Sequence, residues 1–515
     1  PGLLRTGTTW SMLVCMDKRI AFICTNDIHC AIESGPGCLG LEGVAAIAQE
    51  ARGVYGADGV CLLDAGDATG AGALGCVSAG EIPLRALNEC GYAAYCPGNA
   101  DVTFGIKRLR QLADMAEFPL VCCNLLEAAT GEPLFAPYTL REVGEVMIGI
   151  VGVTTPLADM ALETTNYRAP QDAVAIDCCG DAGGERLYKA VQSAVDAARS
   201  RGARFVVLLC HLGQKNEQTC FWSDAVVANT AGIDLVVDGH SHEVYQQRVP
   251  NRDGREVLVV QGGTRLSHVT VVEADLASGS VHARLLATGE GYRDDTMSRK
   301  IAAIVNTCGE ELARPVASLP VALVAKDEDG AWLVRNAETN LGDLVADAWC
   351  AAFDADLAFV PCWVLRNNIP AGKLTMRHLY DALPMGHQLA CVRVKGRVIL
   401  EALWVAITQY PKGYRYWLQV SSSMHFAFCT SARRGMEVLV NGEELDEERE
   451  YLLAGIDYMV AGADGGFPMF AGRKPVDERR VRDVDALASW LCYLAEHDGL
   501  GAYEDARGQG RIEVD

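Results

Sequence analysis

No two of the twenty cysteines stand in a C-x-x-C spacing, so the main sequence signal for zinc ribbons and thioredoxin-like redox sites is missing. Several lie inside apolar, strand-like runs, among them Cys24, Cys61 and Cys210. They read as buried, reduced thiols acting as small hydrophobes in a reducing compartment. No apolar run approaches the roughly 20 residues that a membrane-spanning helix needs. The opening stretch PGLLRTGTTWSMLVCMDKRIAFIC has no basic region leading into a long apolar segment and a small-residue cleavage site, so no signal peptide is visible. The expected location is cytoplasmic. Basic residues are scarce, 45 against 67 acidic ones for a formal charge of −22. Lys and Arg form no run, which argues against a surface for duplex nucleic acid. The expected partner is a small molecule, and an anionic one would need a local cation such as a metal ion. Ser421–Ser423 lacks the surroundings of an acyl-transfer nucleophile elbow, and reads as a strand-end turn.

What is present is length and a repeated pattern. A chain of 515 residues, half of them hydrophobic, is too long for one ordinary core, so two or more domains are expected. Over the first three hundred residues, short β-rich apolar runs stop on polar residues and are followed by helical stretches such as 79–90, 106–116 and 185–200. RIAFICTNDIH ends on Asp27 and His29, VCLLDAGD on Asp67, and AAYCPGN on Asn99; RFVVLLCHLG carries His211, and DLVVDGHSH carries His240 and His242. Alternating strands and helices predict an α/β layered domain, and functional groups in such sheets gather outside the carboxyl ends of the strands. Five strand ends then deliver seven Asp, Asn and His side chains to one rim. That mixture suits divalent Mn, Zn, Fe or Co. Seven ligands exceed one tetrahedral ion, so two metals sharing a carboxylate fit better. A helical stretch at 296–319 reads as a connector, and the chain beyond 320 as a second, mixed α+β domain.

In order, the motifs TNDIH, DAGD, GN, CHLG, DGHSH, ETNLGDLVADA, LPMG, LQVS and GADGGF resemble those of the 5'-nucleotidase family, from about residue 20 to residue 512. The resemblance implies a four-layer metallophosphoesterase β-sandwich flanked by helices over 17–295. A connecting helix over 296–319 and a C-terminal substrate-binding domain over 320–515 would follow. It implies that Asp27, His29 and His242 hold one divalent ion, Asn99, His211 and His240 a second, and that Asp67 bridges them. It also implies an aromatic clamp for a nucleobase, Trp417 with Phe467, and arginines near the phosphates, Arg366 and the weaker match Arg335. Asp464 is read as holding the glycine-rich turn before Phe467. A hinge about the connector is implied likewise.

Two departures stand against the likeness. The family reads Gly-Asn-His-Glu-x-Asp where this chain reads Gly98-Asn99-Ala100-Asp101-Val102-Thr103, so Ala100 and Thr103 occupy the positions of the catalytic His-Asp dyad and no acid is identified. The family's Asn-x-Gly-Gly-x-Arg segment becomes PCWVLR, with Pro361, Trp363 and Val364 narrowing a backbone approach that glycine would leave open. The expected function is a dinuclear-metal-dependent phosphoester hydrolase resembling 5'-nucleotidase or 2',3'-cyclic-nucleotide phosphodiesterase. The alternatives are a catalytically impaired protein that binds metal and a nucleotide-like ligand, and a thiosulfohydrolase-like hydrolase of non-phosphate esters. The last is suggested by the VTFG turn but opposed by the retained Asn99.

Overall fold

The run Arg19–Thr25 is apolar almost throughout and buried from Ile20 onward, as expected of a central strand covered on both faces. In the computed structural model, which describes residues 19–156, 174–214, 220–288, 291–429, 436–460, 466–476 and 479–514, this strand pairs in parallel with Val60–Asp64. Val60–Asp64 in turn pairs in parallel with Ala94–Tyr95. The antiparallel strands His268–Asp275 and Ser280–Ala287 complete a five-stranded sheet. A second, six-stranded sheet contains the parallel strands Val146–Thr154, Phe205–His211, Leu235–Val237 and Glu256–Gly262.

Phe22, Leu63, Ile148, Val207 and Val260 pack between the two sheets. Helix Gly40–Tyr55 lies outside the first sheet and helix Glu185–Ser200 outside the second, each burying one apolar stripe. The result is the expected four-layer sandwich. Because the inner strands are parallel within each sheet, Thr25, Asp64 and Tyr95 end together in one register, as do Thr154 and His211 in the other.

The stretch 296–319, expected as one connecting helix, is broken. Asp294 accepts hydrogen bonds from the backbone N–H groups of Thr296 and Met297 and caps a helix over Asp295–Val305. A tight turn over Asn306–Cys308 and a short helix over Gly309–Ala313 follow. Pro315, which has no N–H to extend a helix, opens the strand Pro315–Leu319 paired with Gly372–Thr375.

Beyond it, a five-stranded sheet runs in the order Leu418–Val420, Leu357–Pro361, Glu450–Ile456, Gln388–Lys395 and Val481–Arg482. The helices Asn340–Phe353 and Asp483–Glu496 pack together beside it. Residues of both halves, from Ile28 and Leu74 to Leu341 and Leu379, share one continuous apolar core. At the seam Glu33 meets Arg377 at 2.8 Å, and Gly386 lies so close to Cys76 that a Cβ would come within 2.7 Å of its sulfur. Among the described residues no helix is long and apolar enough to cross a membrane.

Candidate metal centre

Each of the seven candidate side chains stands at or just beyond a strand end. The ligand atoms of Asp27, His29 and His242 lie within 4.8 Å of one another, and those of Asp27, Asp67 and His211 do the same. Asp27 Oδ1 is common to both groups, 3.3 Å from His242 Nε2, 3.7 Å from His29 Nε2 and 3.9 Å from His211 Nε2. Asp67 Oδ2 also faces both, 3.2 Å from His211 Nε2 and 3.9 Å from His29 Nε2. Asn99 and His240 stand beside the second group, held together by a 2.8 Å contact between Oδ1 and Nδ1. The rings of His240 and His211 are 5.3 Å apart.

Backbone strain marks the same place. Asp27, His29, Asp67, His240 and His242 all have positive φ, between 45° and 78°. Left-handed backbone costs a non-glycine residue roughly 1–2 kcal/mol, and such outliers persist where surrounding structure holds them for function. What holds them is a set of polar braces. Asn26 donates to Asp27 Oδ2 and to Gly263 O and accepts from Gly262 N, tying Asp27 to the second sheet. Asp101, fully buried, accepts from the N–H groups of Asp67, Thr69 and Gly98 and from the hydroxyls of Thr69 and Tyr95. Asp238 accepts from the N–H groups of Leu212, Gly213 and Gly239 and from the Tyr245 hydroxyl, fixing the turns that carry His211 and His240.

The site's donor set fits divalent cations. Asp27 Oδ1 and His211 Nε2 are buried and have no hydrogen-bond partner, a costly arrangement unless something else satisfies them. His29 Nε2 and His242 Nε2 point at each other at 3.0 Å. Burial would raise Asp67, yet the His211 and His29 rings hold it well below the usual carboxylate range. Burial would lower His211, but Asp67 and Asp27 push it up to about 10. Burial, with the neighbouring His211, lowers His240 to about 4. The centre is thus negative enough to draw a proton onto its most enclosed imidazole, and a metal ion would meet the same field.

Gly98 is indispensable to this packing. A Cβ there would lie 2.2 Å from Asp67 Oδ1 and 2.7 Å from His211 Nε2. The substitution Gly98→Ala is expected to weaken divalent-ion binding about 10- to 100-fold, the range seen when ligand-orienting contacts are lost. Calorimetric titration with Mn²⁺ or Zn²⁺ measures it, and unchanged affinity would contradict it.

Ala100 is buried and donates its backbone N–H to Asp67 Oδ1 at 2.7 Å, and Thr103 lies in the turn Asp101–Phe104. Neither position offers an acid. In the second half, the Arg335 charge acts on Arg366. Burial first, then Arg335, lowers Arg366 to about 10. Arg366 also acts electrostatically on His29.

The expected aromatic clamp is not open. Trp417 is buried against Tyr410 and Phe428, at 5.8 and 6.3 Å between ring centres. Phe467 is buried against Phe470 and Tyr416. Tyr416, half-buried, is the ring that meets Phe467, at 5.6 Å and nearly perpendicular. Adjacent residues of an extended chain point to opposite sides, and the strand Leu418–Val420 sends Trp417 inward. Trp363 packs edge-on against His387 at 5.3 Å, where the family pattern would have glycine. Asp464 lies outside the described residues.

A helix-flanked double-sheet sandwich whose strand ends gather carboxylates and imidazoles defines the calcineurin-like metallophosphoesterase class. The family description "5'-nucleotidase, C-terminal domain" matches residues 320–472. The crystal structure of a 5'-nucleotidase precursor from Thermus thermophilus superposes with a TM-score of 0.72 at 26% identity, covering 96% of this chain and 99% of that one. A 5'-nucleotidase of Vibrio cholerae is 23% identical over 80% of this chain and 78% of its own length. "Endonuclease YhcR" of Bacillus subtilis is 24% identical over 78% of this chain, which spans only 31% of that protein. Residues 320–472 thus match the C-terminal domain of 5'-nucleotidases, and the likeness to two-domain 5'-nucleotidases extends over most of the chain.

Proposed function

We propose that this protein is a divalent-metal-dependent phosphoester hydrolase acting on nucleotides or related small phosphoesters. The observation that carries the proposal is the pair of buried atoms Asp27 Oδ1 and His211 Nε2, neither with a hydrogen-bond partner, clustered with Asp67 at the strand ends. Asp27, His29 and His242 would hold one ion and His211, His240 and Asn99 a second, with Asp67 shared between them. Such ions, when bound, supply Lewis acidity that offsets phosphoryl charge and lowers the pKa of water toward neutral. Asn26, Asp101 and Asp238 keep the ligand loops in their strained conformations. Arg366 and Arg335 bind and orient the anionic substrate from the opposite domain. With alanine and threonine at 100 and 103, the leaving oxygen has no positioned acid and takes its proton from solvent.

Purified protein loaded with Mn²⁺, Zn²⁺ or Co²⁺ is therefore expected to release phosphate from nucleotides or cleave model phosphodiesters slowly, and to lose that activity to a chelator. Installing the missing dyad with Ala100→His and Thr103→Asp together is expected to raise kcat about 10²–10⁴-fold, the usual contribution of a positioned acid. Activity appearing only after that double substitution would identify the parent as a metal-binding pseudoenzyme. A parent rate no better than that of an Asp67 variant would contradict the hydrolase reading.

A further inference from the structure

Two thiols meet behind the loop that carries Asn99. Cys96 follows the short strand Ala94–Tyr95, and Cys122 lies on the segment that the parallel bridge between Tyr95 and Leu120 sets alongside it. Tyr95 donates its N–H to Pro119 O at 3.1 Å and accepts from Val121 N at 2.8 Å. Both sulfurs reach one peptide of the second sheet, Val153–Thr154. Cys96 Sγ donates to Val153 O at 3.4 Å. Cys122 Sγ lies 3.3 Å from Asn124 Oδ1, which accepts from Thr154 N at 2.9 Å.

The two sulfurs differ in what surrounds them. Burial would raise the Cys122 thiol, but a hydrogen bond from Cys96 and the N–H groups of Asn124, Leu125 and Thr154 hold it below its ordinary value. Three backbone N–H groups converging on one atom form a nest for an anion, here a thiolate. Burial and the same partner push Cys96 the other way, so it keeps its proton and donates it. A core thiol without such donors behaves differently: burial drives Cys61 up to about 12. Thiolate character is what makes a cysteine a nucleophile. Both side chains are fully buried, which admits only an oxidant close to water in size.

We infer that Cys96 and Cys122 are a redox-modification site, a thiol–thiolate pair that a hydroperoxide converts reversibly to a disulfide. The Cys122 sulfur attacks one peroxide oxygen, the O–O bond breaks, and hydroxide leaves and takes up a proton, giving water and a sulfenic acid. The Cys96 sulfur then bonds to the Cys122 sulfur as the S–O bond breaks, and the Cys96 proton leaves with the hydroxide as a second water. Two thiols are oxidised by two electrons, and one peroxide is reduced to two waters. Drawing the sulfurs to about 2.05 Å pulls on the backbone at Cys96, where there is no slack. A Cβ on Gly66, in the turn bearing Asp67, would lie 2.6 Å from Cys96 O and 2.7 Å from Gly98 N. Gly98 in turn sits against Asp67 and His211. The disulfide therefore displaces the loop that offers Asn99 and packs on Asp67, and weakens the hold on divalent ions. That consequence rests on the metal reading; the disulfide itself does not.

The full-length protein, reduced and then freed of reductant, is treated with hydrogen peroxide, blocked with N-ethylmaleimide in denaturant and digested for mass spectrometry. A peptide pair joined through Cys96 and Cys122, and lost on treatment with dithiothreitol, is expected, while Cys61 stays reduced. Cys96→Ser is expected to leave a sulfenic acid at Cys122 that dimedone traps, which separates a nucleophilic thiolate from two thiols that merely lie close. Circular dichroism verifies that the variant is folded. Calorimetric titration with Mn²⁺ is expected to show about 10-fold weaker binding after oxidation, restored once dithiothreitol has reduced the bond and been removed. Peroxide is expected to leave the Mn²⁺ affinity of Cys122→Ser unchanged. Cys96 and Cys122 still reduced when the exposed Cys492 has been oxidised would overturn the inference, whatever the chain hydrolyses. The disulfide with unchanged Mn²⁺ affinity would overturn its coupling to the metal loop. The disulfide in a chain that binds no Mn²⁺ in either state would uphold the thiol pair while the metal reading fails.

Discussion

Asp67→Asn is expected to reduce phosphoester hydrolysis at least about 10³-fold, because the charge stabilisation supplied by bound ions is worth several kcal/mol. The geometry explains why this residue outweighs its neighbours. Asp67 Oδ2 faces imidazoles of both ligand groups, while Oδ1 is already engaged by the backbone of Ala100. An asparagine amide can preserve the shape and the Ala100 contact, but not the negative charge that holds cations beside His211. The variant should fold normally and lose divalent-ion affinity in parallel with kcat. Wild-type kcat at saturating Mn²⁺ would show that Asp67 is not part of the machinery.

Arg511→Met is expected to destabilise the C-terminal half by about 3–5 kcal/mol, the cost of removing one partner from a buried ion pair. Arg511 is 4% exposed, and its guanidinium reaches Asp347 through both terminal nitrogens, at 3.0 and 2.7 Å. It also donates to Val420 O at 2.8 Å, joining the chain's last strand, Ile512–Val514, to the helix Asn340–Phe353. Asp347 accepts further from the Tyr503 hydroxyl and from Ser422 N. Without the arginine, Asp347 and the neighbouring Asp343 are left as uncompensated buried acids. Denaturant unfolding followed by tryptophan emission measures the loss, and Arg511→Met combined with Asp347→Leu should recover part of it. A change below about 1 kcal/mol would contradict the account.

The same cluster sets a pH dependence. Burial, opposed by Arg511 and aided by Glu338, pushes Asp343 up to about 8. The folded chain therefore holds a proton that the unfolded chain loses near 3.8. That contribution is complete at acidic pH and declines as pH rises toward 8.

The strand–helix alternation and the gathering of seven polar side chains at strand ends were legible because each apolar run stops on a residue whose chemistry is written in its type. The left-handed backbone at five of those residues was not, since it follows from turns closed by distant partners such as Gly66 O and Ala68 O. Asp101 was visible only as one letter of a broken motif; its five hydrogen bonds depend on separate loops meeting. The orientation of Tyr416 and Trp417 turns on a single step of strand register, which the run RYWLQV does not encode. Cys96 and Cys122 carry no spacing signal, because two separate segments must align before these thiols become neighbours.

The central claim is that divalent ions are held where the strands of the first half end. Elemental analysis of protein purified without chelator and equilibrated with Mn²⁺ or Zn²⁺ tests it most directly, alongside the Asp67→Asn variant. The account predicts two ions per wild-type chain and fewer in the variant. A wild-type chain that retains none, or a variant that retains as many, would contradict it.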